Sequence, residues 1–371
     1  MILRIEDIKS CCNDILAAVD SNELSAVTET LELKTNDKYL YMSVTNREYY
    51  AQVRMNIGEY EPFHATVNAT QFLKLIALMT TDTVQFEVNE TSLTIKGNGT
   101  YKLPLIFDDD KLLELPIINI DNVTSSFDVR SEVLNSILQY NSKQLSVGAI
   151  SKPVQRMYYI DNEGAITFTS GACVNNFTLG SDVKLLLNAR LVKLFKLFKG
   201  KIVHVNVGHD EIASGIIQTK ASFSSDDITI VAILSADDSM ISSVPVSAIR
   251  GRAKKDYPYN VNINTAAMLE TIKRLLLFSD GSSTSSYSAF EFGPESVIVY
   301  DNKQDNKESI YYSNDTTNIQ DTYSLMLDLN DLKGVLENCS EQYVTIKFGD
   351  GQALLVCRQN IVNVIPEVSE V

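Results

Sequence analysis

The sequence predicts an α+β protein made of three similar domains, each with two helices packed on curved antiparallel sheets. Short segments with alternating apolar residues outnumber helical segments. A unit composed of an apolar residue, an Asn or Asp, and an apolar helix containing a lysine occurs three times, each time followed by a strand. The copies are spaced about one small domain apart. They lie at residues 67–88, 187–207 and 327–348.

Composition and length are those of an ordinary globular protein with two or three cores. The 371 residues are 44% hydrophobic and 21% charged. No run of 18 apolar residues occurs and residues 1–6 have the pattern of an amphipathic strand, so we expect no membrane span, no signal peptide and a cytoplasmic location. Five cysteines without C-x-x-C spacing indicate reduced thiols rather than disulfides or zinc ligands.

The first predicted domain covers residues 1–122. Its helices are predicted over residues 6–19 and, after the Asn68 cap, over 69–79. Pro104 places the last strand at a sheet edge, because proline cannot donate to a ladder. The acidic segment 108–121, with Pro116, is predicted to be a connector. The predicted strands are 2–5, 31–35, 39–44, 49–55, 84–88, 93–96 and 100–106.

The second and third predicted domains cover residues 123–250 and 251–371. A connector is predicted over residues 236–257, which contain Pro245 and a basic run at 250–255. Helices are predicted over 131–138, 187–200, 268–276 and 328–336. The predicted strands are 126–129, 157–160, 165–169, 202–207, 261–263, 289–292, 296–300, 309–312, 343–348 and 361–365.

The helix predicted over residues 187–200 has one apolar and one basic face. Asn188 is a natural N-cap and Gly200 a natural stop. No Asp or Glu occurs between Val183 and His209, although the formal net charge of the chain is −15. This local separation of charge favours a protected basic surface that binds a polyanion, while a solvated helix face is the alternative. The basic residues are Arg190, Lys193, Lys196 and Lys199.

An enzymatic function is the weaker interpretation. The triplet Asp108-Asp109-Asp110 could bind Mg²⁺, and His204 or His209 could act as an acid or base. The sequence contains no glycine-rich phosphate loop, no H-E-x-x-H and no G-x-S-x-G. We therefore expect no catalysis, no cofactor and no metal site, with the acidic triplet forming a solvated turn.

Several segments together resemble the bacterial-type DNA polymerase sliding clamp, the β subunit of the replicative polymerase. They are residues 31–55, 68–105, Tyr158-Tyr159-Ile160, Thr169-Ser170-Gly171, the Asn188 helix and Val364-Ile365-Pro366. The resemblance implies three domains of the DNA clamp fold. It also implies a head-to-tail homodimer that forms a ring around duplex DNA and gives a polymerase processivity without catalysis of its own.

Three sets of residues follow from this resemblance and from the strand pattern. Candidates for sequence-independent DNA contact are the four basic residues above with Tyr158, Tyr159, Arg130, Lys273, Arg274, Lys74 and, more weakly, Lys9. A pocket for short linear peptides of the DNA polymerase and clamp loader is implied at Ile160, Thr169, Gly171, Ala172, Cys173, Val174, Pro245, Val364, Ile365 and Pro366. Unpaired edge strands, a liability unless another chain covers them, predict a dimer interface at Tyr101, Leu103, Leu105, Ile106, Leu277, Phe278, Ile310 and Tyr311.

The sequence also departs from the family. Ala172-Cys173 stands where the family has His-Arg, so we expect peptide affinity to depend more on apolar anchors. The loop Asp20-Ser21-Asn22-Glu23 is acidic where the family often carries a basic DNA contact. These differences suggest a divergent clamp, for which a phage origin is one explanation. A non-replicative ring scaffold, or a decoy for clamp-binding peptides, is the alternative function.

Overall fold

Helices in this computed structural model are short and lie between long series of strands. The structure describes residues 1–19, 26–145, 151–213, 216–234, 238–279, 286–313 and 317–368, so the loop at Asp20–Glu23 lies outside the described residues. Single turns of 3-10 helix and a π-helical turn, Ile137–Asn141, extend some helices. The α-helices are α1 Ile5–Leu16, α2 Ala69–Leu78, α3 Ser131–Ser136, α4 Ala189–Leu194, α5 Asp238–Ser242, α6 Val246–Ala253, α7 Thr265–Leu276 and α8 Leu329–Leu336.

The strands pair antiparallel throughout the described residues, which confirms the α+β class with antiparallel sheets. In chain order they are β1 Ile2–Arg4, β2 Thr30–Asn36, β3 Tyr39–Thr45, β4 Tyr49–Asn56, β5 His64–Asn68, β6 Thr83–Val88, β7 Ser92–Lys96, β8 Thr100–Pro104, β9 Phe107–Asp108, β10 Lys111–Leu112, β11 Val123–Arg130, β12 Met157–Asp161, β13 Gly164–Phe168, β14 Ala172–Asn176, β15 Leu185–Asn188, β16 Ile202–Ala213, β17 Ile216–Ser224, β18 Ile228–Leu234, β19 Tyr259–Asn264, β20 Tyr287–Phe292, β21 Ser296–Tyr300, β22 Lys307–Tyr311, β23 Tyr323–Asp328, β24 Tyr343–Phe348, β25 Ala353–Arg358 and β26 Ile361–Pro366.

The chain folds into two compact units. Unit 1 comprises residues 1–135 and 190–237. It contains an eight-stranded sheet in the order β11-β16-β17-β18-β4-β3-β2-β5, a four-stranded sheet β1-β6-β7-β8 and the small ribbon β10-β9. Helix α1 packs on α2, β3 and β4 through a buried stripe that includes Ile8, Cys12 and Ile15. Apolar burial of this kind supplies most of the stability of such short helices.

Unit 2 comprises residues 136–189 and 238–371. It contains an eight-stranded sheet in the order β15-β12-β13-β14-β26-β25-β24-β19 and a four-stranded sheet β22-β21-β20-β23. Helices α7 and α8 pack together over a core in which Phe290, Phe292 and Phe348 are fully buried. The rings of Phe292 and Phe348 lie 4.1 Å apart.

The two units repeat one strand arrangement. The A set has a strand that precedes a helix, followed in space by three strands from later in the chain. It occurs as β1-β6-β7-β8, β11-β16-β17-β18 and β19-β24-β25-β26. The B set has three consecutive strands and a fourth strand, which precedes a helix and pairs with the first of the three. It occurs as β4-β3-β2-β5, β14-β13-β12-β15 and β22-β21-β20-β23. An A set joins a B set through β18 and β4 in unit 1, and through β26 and β14 in unit 2.

Polar caps fix where the helices of this repeat begin. Asn68 accepts a hydrogen bond from the Gln71 amide, at 3.0 Å, and Asp328 accepts one from the Asn330 amide, at 2.8 Å. Each cap satisfies an N–H group that the first helical turn leaves unpaired. The predicted Asn68 and Asp328 units are thus confirmed, and Asn264 caps α7 in the same way.

Two predicted elements were wrong in extent. The helix expected over residues 187–200 is α4 followed by a 3-10 turn, Phe195–Leu197, because Val192, Leu197 and Phe198 are buried together with the apolar face. A helix of 3.6 residues per turn cannot bury all of these side chains on one side. The second connector contains α5 and α6 instead of irregular chain. The division into three domains with boundaries at residues 122 and 250 stays a prediction.

Candidate functional site

Helix α4 and the turn after it present the predicted basic surface. Arg190, Lys193, Lys196 and Lys199 are all exposed, whereas Leu191, Leu194, Phe195 and Phe198 are buried. Phe195 lies 5.0 Å from Phe223 of β17, measured between ring centroids, which anchors the turn to the sheet of unit 1. Lys193 and Lys196 form no ion pair with the residues that the structure describes, while Lys199 pairs with Asp14 at 3.0 Å.

The other predicted cations differ between the units. Lys74 on α2 and Arg130 at the end of β11 are exposed in unit 1, without ion pairs to described residues. In unit 2, Lys273 pairs with Glu270 at 3.0 Å and Arg274 with Glu308 at 2.6 Å. A carboxylate that already neutralises a cation weakens its attraction for phosphate. Unit 1 therefore carries the stronger candidates. Lys9 donates to the Met79 carbonyl and is tied to its own unit.

Tyr158 and Tyr159 lie in the interior of unit 2. Both are buried, and their strand β12 pairs on both sides. The Tyr159 hydroxyl donates to Asp161, at 3.1 Å, and burial together with the Asp161 charge raises the pKa of Tyr159 to about 12. This burial favours a packing role over DNA contact for both rings.

Several residues of the implied peptide pocket lie where β14 pairs with β26, whereas Ile160 lies on β12, two strands away from β14. Ala172 lies opposite Val364, and Val174 lies opposite Val362. Thr169 and Pro366 are half-buried, and Pro245 is exposed just before α6. Gly171 approaches β26 so closely that an added Cβ would lie 2.5 Å from the Val364 carbonyl oxygen. The buried members of the set are Ile160, Gly171, Ala172, Cys173, Val174, Val364 and Ile365.

Helix α6 covers part of this surface and was missed in the sequence. Ile249 and Ala253 pack against Ala172, Leu355 and Val364. Helix α6 has no side-chain N-cap and contains Gly251, so neither amphipathic periodicity nor a capping residue predicts a helix here. The available signal was the basic run at 250–255, whose arginines and lysines pair with Asp161, Glu163 and Asp350.

A buried ion pair fastens α6 to β12. The Arg250 guanidinium donates to both carboxylate oxygens of Asp161, at 2.6 and 2.8 Å. Burial raises the pKa of Asp161, but hydrogen bonds from Arg250, Tyr159 and the Glu163 amide outweigh it, so that the pKa lies below its ordinary value. Asp161 and Arg250 also line a cavity of about 690 Å³. Removing either partner would leave a charge buried without compensation.

Among the strands that end a sheet in the described part of the chain, β8 and β22 stand out because their counterparts elsewhere are paired on both sides. β8 pairs only with β7, and β22 pairs only with β21. Each is the counterpart of a strand that joins two sets elsewhere, because β8 corresponds to β18 and β26, and β22 corresponds to β4 and β14. The predicted edges at residues 101–106 and 309–312 are therefore sheet edges as far as Pro104 and Tyr311, whereas Ile106 is already hydrogen-bonded to Thr66 and Tyr312 forms a bridge with Ile263.

Exposed apolar side chains accompany both edges. In unit 2, Leu277 and Tyr311 are 80% and 71% exposed, and Phe278 is also exposed. In unit 1, Tyr101 is exposed, while Leu103 and Ile106 are half-buried. Leu105 and Ile310 are buried and belong to the cores of their own units. Large exposed apolar side chains beside an open edge are typical of a surface that another chain covers.

The joints β18–β4 and β26–β14 have the same register. To compare them, residues are matched across the ladders of each set, starting from the residue that precedes the helix of that set. These reference residues are Arg4, Arg130 and Asn264 for the A sets and Asn68, Asn188 and Asp328 for the B sets. The count makes Thr229 equivalent to Val362, and Gln52 equivalent to Val174. Thr229 pairs with Gln52, and Val362 with Val174. A strand arrangement repeated three times, with equivalent register at its two internal joints, defines a clamp fold.

Comparison with solved structures makes the assignment of the fold specific. The chain is similar to the DNA polymerase β subunit of Streptococcus pyogenes, with a TM-score of 0.82 and 14% identity over 100% of this chain and 99% of that one. It is also similar to the sliding clamp of Bacillus subtilis, with a TM-score of 0.80 and 14% identity over 100% and 99% of the two chains. The DNA polymerase III subunit β of Pseudomonas aeruginosa matches with a TM-score of 0.80 and 12% identity over both whole chains. The chain has the fold of bacterial DNA polymerase sliding clamps.

Sequence comparison gives a shorter match. The β sliding clamp of Mycoplasmopsis pulmonis (strain UAB CTIP) is 26% identical over 123 residues, which are 33% of this chain. The match spans 31% of that relative, about a third of its length. No family model matches the sequence. In the described ranges no helix is long and apolar enough to span a membrane.

Proposed function

We propose that this chain is a DNA sliding clamp, which encircles duplex DNA and tethers a DNA polymerase to it without catalysis of its own. The observation that carries the proposal is the strand repeat in which the edges of β8 and β22 are open, although the equivalent edges in the other copies are paired. Two sets of strands are already joined within each unit, and only β8 and β22 lack the joint that their counterparts make. A second copy would supply both missing joints.

The missing joint predicts a specific register between two copies. By the same matching, Thr100 is equivalent to Thr229 and Val362, and Lys307 is equivalent to Gln52 and Val174. Thr100 of one chain is therefore placed opposite Lys307 of the other. Continued by two residues beyond the end of β22, the same count brings Lys102 to Asp305, which lies in the loop just before β22, so that opposite charges face each other. One edge of each kind gives a head-to-tail contact, which forms a ring when the rotation between copies closes, and we propose that it closes with two copies.

The basic face of α4 supports DNA as the polyanion. A clamp that slides must be attracted to phosphates without reading bases, and exposed Lys and Arg side chains suit that requirement. Lys193 and Lys196 have no competing carboxylate within the described residues. A scaffold or decoy that only binds peptides has no need of such a face, so the observation favours the clamp.

The surface at β14, β26 and α6 is proposed as the site for polymerase and clamp-loader peptides. The half-buried residues Thr169 and Pro366 and the exposed Pro245 form its accessible part. Apolar anchors of a short peptide would pack against the half-buried Ile249 and Val362, at the margin of the cluster that contains Ala172 and Val364. A few such anchors dominate the free energy of binding at sites of this kind.

Topological binding is the property that tests the clamp proposal. The protein is incubated with a nicked circular plasmid at a concentration where dimers exchange subunits, and the DNA is then isolated by gel filtration in high salt. We expect protein to stay with the circle, because the ring is linked to it although the phosphate contacts are screened. Linearising the plasmid before the salt step should release the protein. Equal loss from circular and linear DNA would refute a ring around the duplex.

A further inference from the structure

Unit 1 holds a cavity that the sites described above do not use. It measures about 520 Å³ and lies over polar side chains of β2, β3 and β4. Ser43, Tyr50 and Gln52 line it, and Leu115 and Ile117 of the first connector form part of its wall. Ser43 alternates with Met42 and Val44, which are buried in the core, so the polar side chains belong to the other face of the sheet.

The three polar side chains form a closed triangle of hydrogen bonds. Gln52 Nε2 donates to Ser43 Oγ, at 2.9 Å, and to Tyr50 Oη, at 2.8 Å. Tyr50 Oη and Ser43 Oγ are 2.9 Å apart and share one further hydrogen bond. The two hydroxyl groups have two hydrogens between them, and this bond uses one. One hydroxyl hydrogen is therefore left over, whichever group donates.

The side-chain carbonyl oxygen of Gln52 is an acceptor that no donor among the described residues reaches, and it lies beside the hydroxyl group that has an unused hydrogen. Burial raises the pKa of Tyr50, so its phenol stays protonated and keeps the donor at neutral pH. A carboxamide offers a C=O acceptor and an N–H donor side by side and would satisfy both groups. A carboxylate cannot donate, and a hydrocarbon satisfies neither group.

This surface is the repeat counterpart of the proposed peptide site. Counted from Asn68 and Asn188, Lys34 of β2 is equivalent to Asp161 of β12. The cross-strand pair Ser43–Gln52 is equivalent to Ile166–Val174 in unit 2. The same position of the repeat is thus polar and beside an open cavity in unit 1, but apolar and buried in unit 2.

We propose that the cavity over Ser43, Tyr50 and Gln52 is a second peptide-binding site, which takes a glutamine or asparagine side chain from an extended segment of a partner protein. Exposed Lys34 and Glu114 also line the cavity, and their opposite charges favour a segment that carries a charge of each sign near the carboxamide. The proposal rests on the proposed function in one respect, because the counterpart surface in unit 2 is taken as a peptide site.

The test uses the full chain and terminally blocked pentapeptides observed by saturation-transfer NMR. The probe has Gln between alanines, and the comparison peptides have Glu or Leu at that position. We expect millimolar binding of the Gln peptide and roughly tenfold weaker binding of the other two, because an unmatched hydrogen-bonding group costs about 1–3 kcal/mol. Ser43→Ala and Gln52→Leu should each weaken the Gln peptide roughly tenfold.

Ser247→Ala is the matched control, since Ser247 lines the unit 2 cavity and is exposed. It should leave binding unchanged, and thermal unfolding establishes that all variants are folded. Equal affinity for the three peptides, no binding of the Gln peptide, or weaker binding in Ser247→Ala without weaker binding in Ser43→Ala would each overturn the inference. Retention on circular DNA separates this result from the clamp proposal, because a clamp that is retained on circles but ignores the Gln peptide refutes only the second site.

Discussion

Asp161 illustrates how a single residue connects sequence, packing and the candidate peptide site. Its carboxylate accepts from Arg250 and Tyr159 and from the Glu163 amide. The pair closes α6 onto β12 beside residues that the sequence implied for peptide binding. Sequence reasoning assigned Arg250 to a connector, because no local pattern links it to an aspartate 89 positions earlier. Long-range pairs of this kind become visible only when the fold brings them together.

Replacing Asp161 by Asn should destabilise the protein by about 3 kcal/mol, because it leaves the Arg250 charge buried without a counter-charge. The pKa of Asp161 is lowered in the folded state. A lowered pKa stabilises the fold above the unfolded pKa, near 4, and this contribution is lost as the pH falls through the folded pKa. Urea unfolding across the acidic range should therefore show a smaller loss of stability with falling pH in Asp161→Asn than in the wild type.

Asp182→Asn provides the control for this experiment, because Asp182 is an exposed aspartate of the same unit without an ion pair to described residues. It should change neither the midpoint nor the pH profile measurably. The double variant Asp161→Asn with Arg250→Met should recover part of the lost stability, since it removes the isolated charge. Identical pH profiles for wild type and Asp161→Asn would show that the ion pair does not contribute.

At the scale of elements, strands and caps were the most predictable features. The alternating segments at β2, β3, β4 and β6 and the Asn68 cap were all placed correctly. β14 and β25 were missed because nearly all of their residues are buried, so that no alternation remains. The family resemblance put Ala172 and Val364 into one implied pocket, and the two residues are paired across β14 and β26. Their burial under α6 depends on a helix with no sequence signal of its own.

The exposure of the cations on α4 and on the turn after it was predicted from the sequence, because these cations alternate with apolar residues that are buried in the core. Lys193→Glu with Lys196→Glu should weaken binding to a short duplex. The negative slope of log affinity against log salt should become less steep by about two, one for each lysine that no longer neutralises a phosphate. Stability should stay near that of the wild type, since both side chains are exposed. Fluorescence anisotropy over a series of salt concentrations measures the slope.

Lys38→Glu with Lys111→Glu is the charge-matched control. Both lysines are exposed, one in the β2–β3 turn and one on β10, and the net charge changes equally. This control should retain the wild-type slope if α4 is the DNA contact. A slope lowered to the same extent in both double variants would mean that overall charge, rather than the α4 face, governs binding.

At the scale of the whole molecule, the assembly follows from counting strands. The internal joints β18–β4 and β26–β14 have one register, and their agreement makes the register of the joint between copies predictable. Sequence alone placed the edges near residues 100–106 and 309–312 but gave no register, because pairing depends on bulges and on loop lengths. The loop between β21 and β22, for example, is longer than its counterpart between β13 and β14.

The register predicts that Lys102 and Asp305 face each other across the interface between two copies. Lys102→Asp should place two carboxylates opposite each other and raise the dissociation constant of the dimer roughly ten- to a hundredfold, because each ring contains the contact twice. Asp305→Lys should do the same with two ammonium groups. The double variant restores opposite charges with their positions exchanged, so its affinity should return to within about threefold of the wild type. Light scattering over a dilution series gives the dissociation constants, with Lys38→Asp as an exposed control away from the edge. Failure of the double variant to regain affinity would reject this register, and a wild-type chain that remains monomeric at micromolar concentration would reject the ring itself.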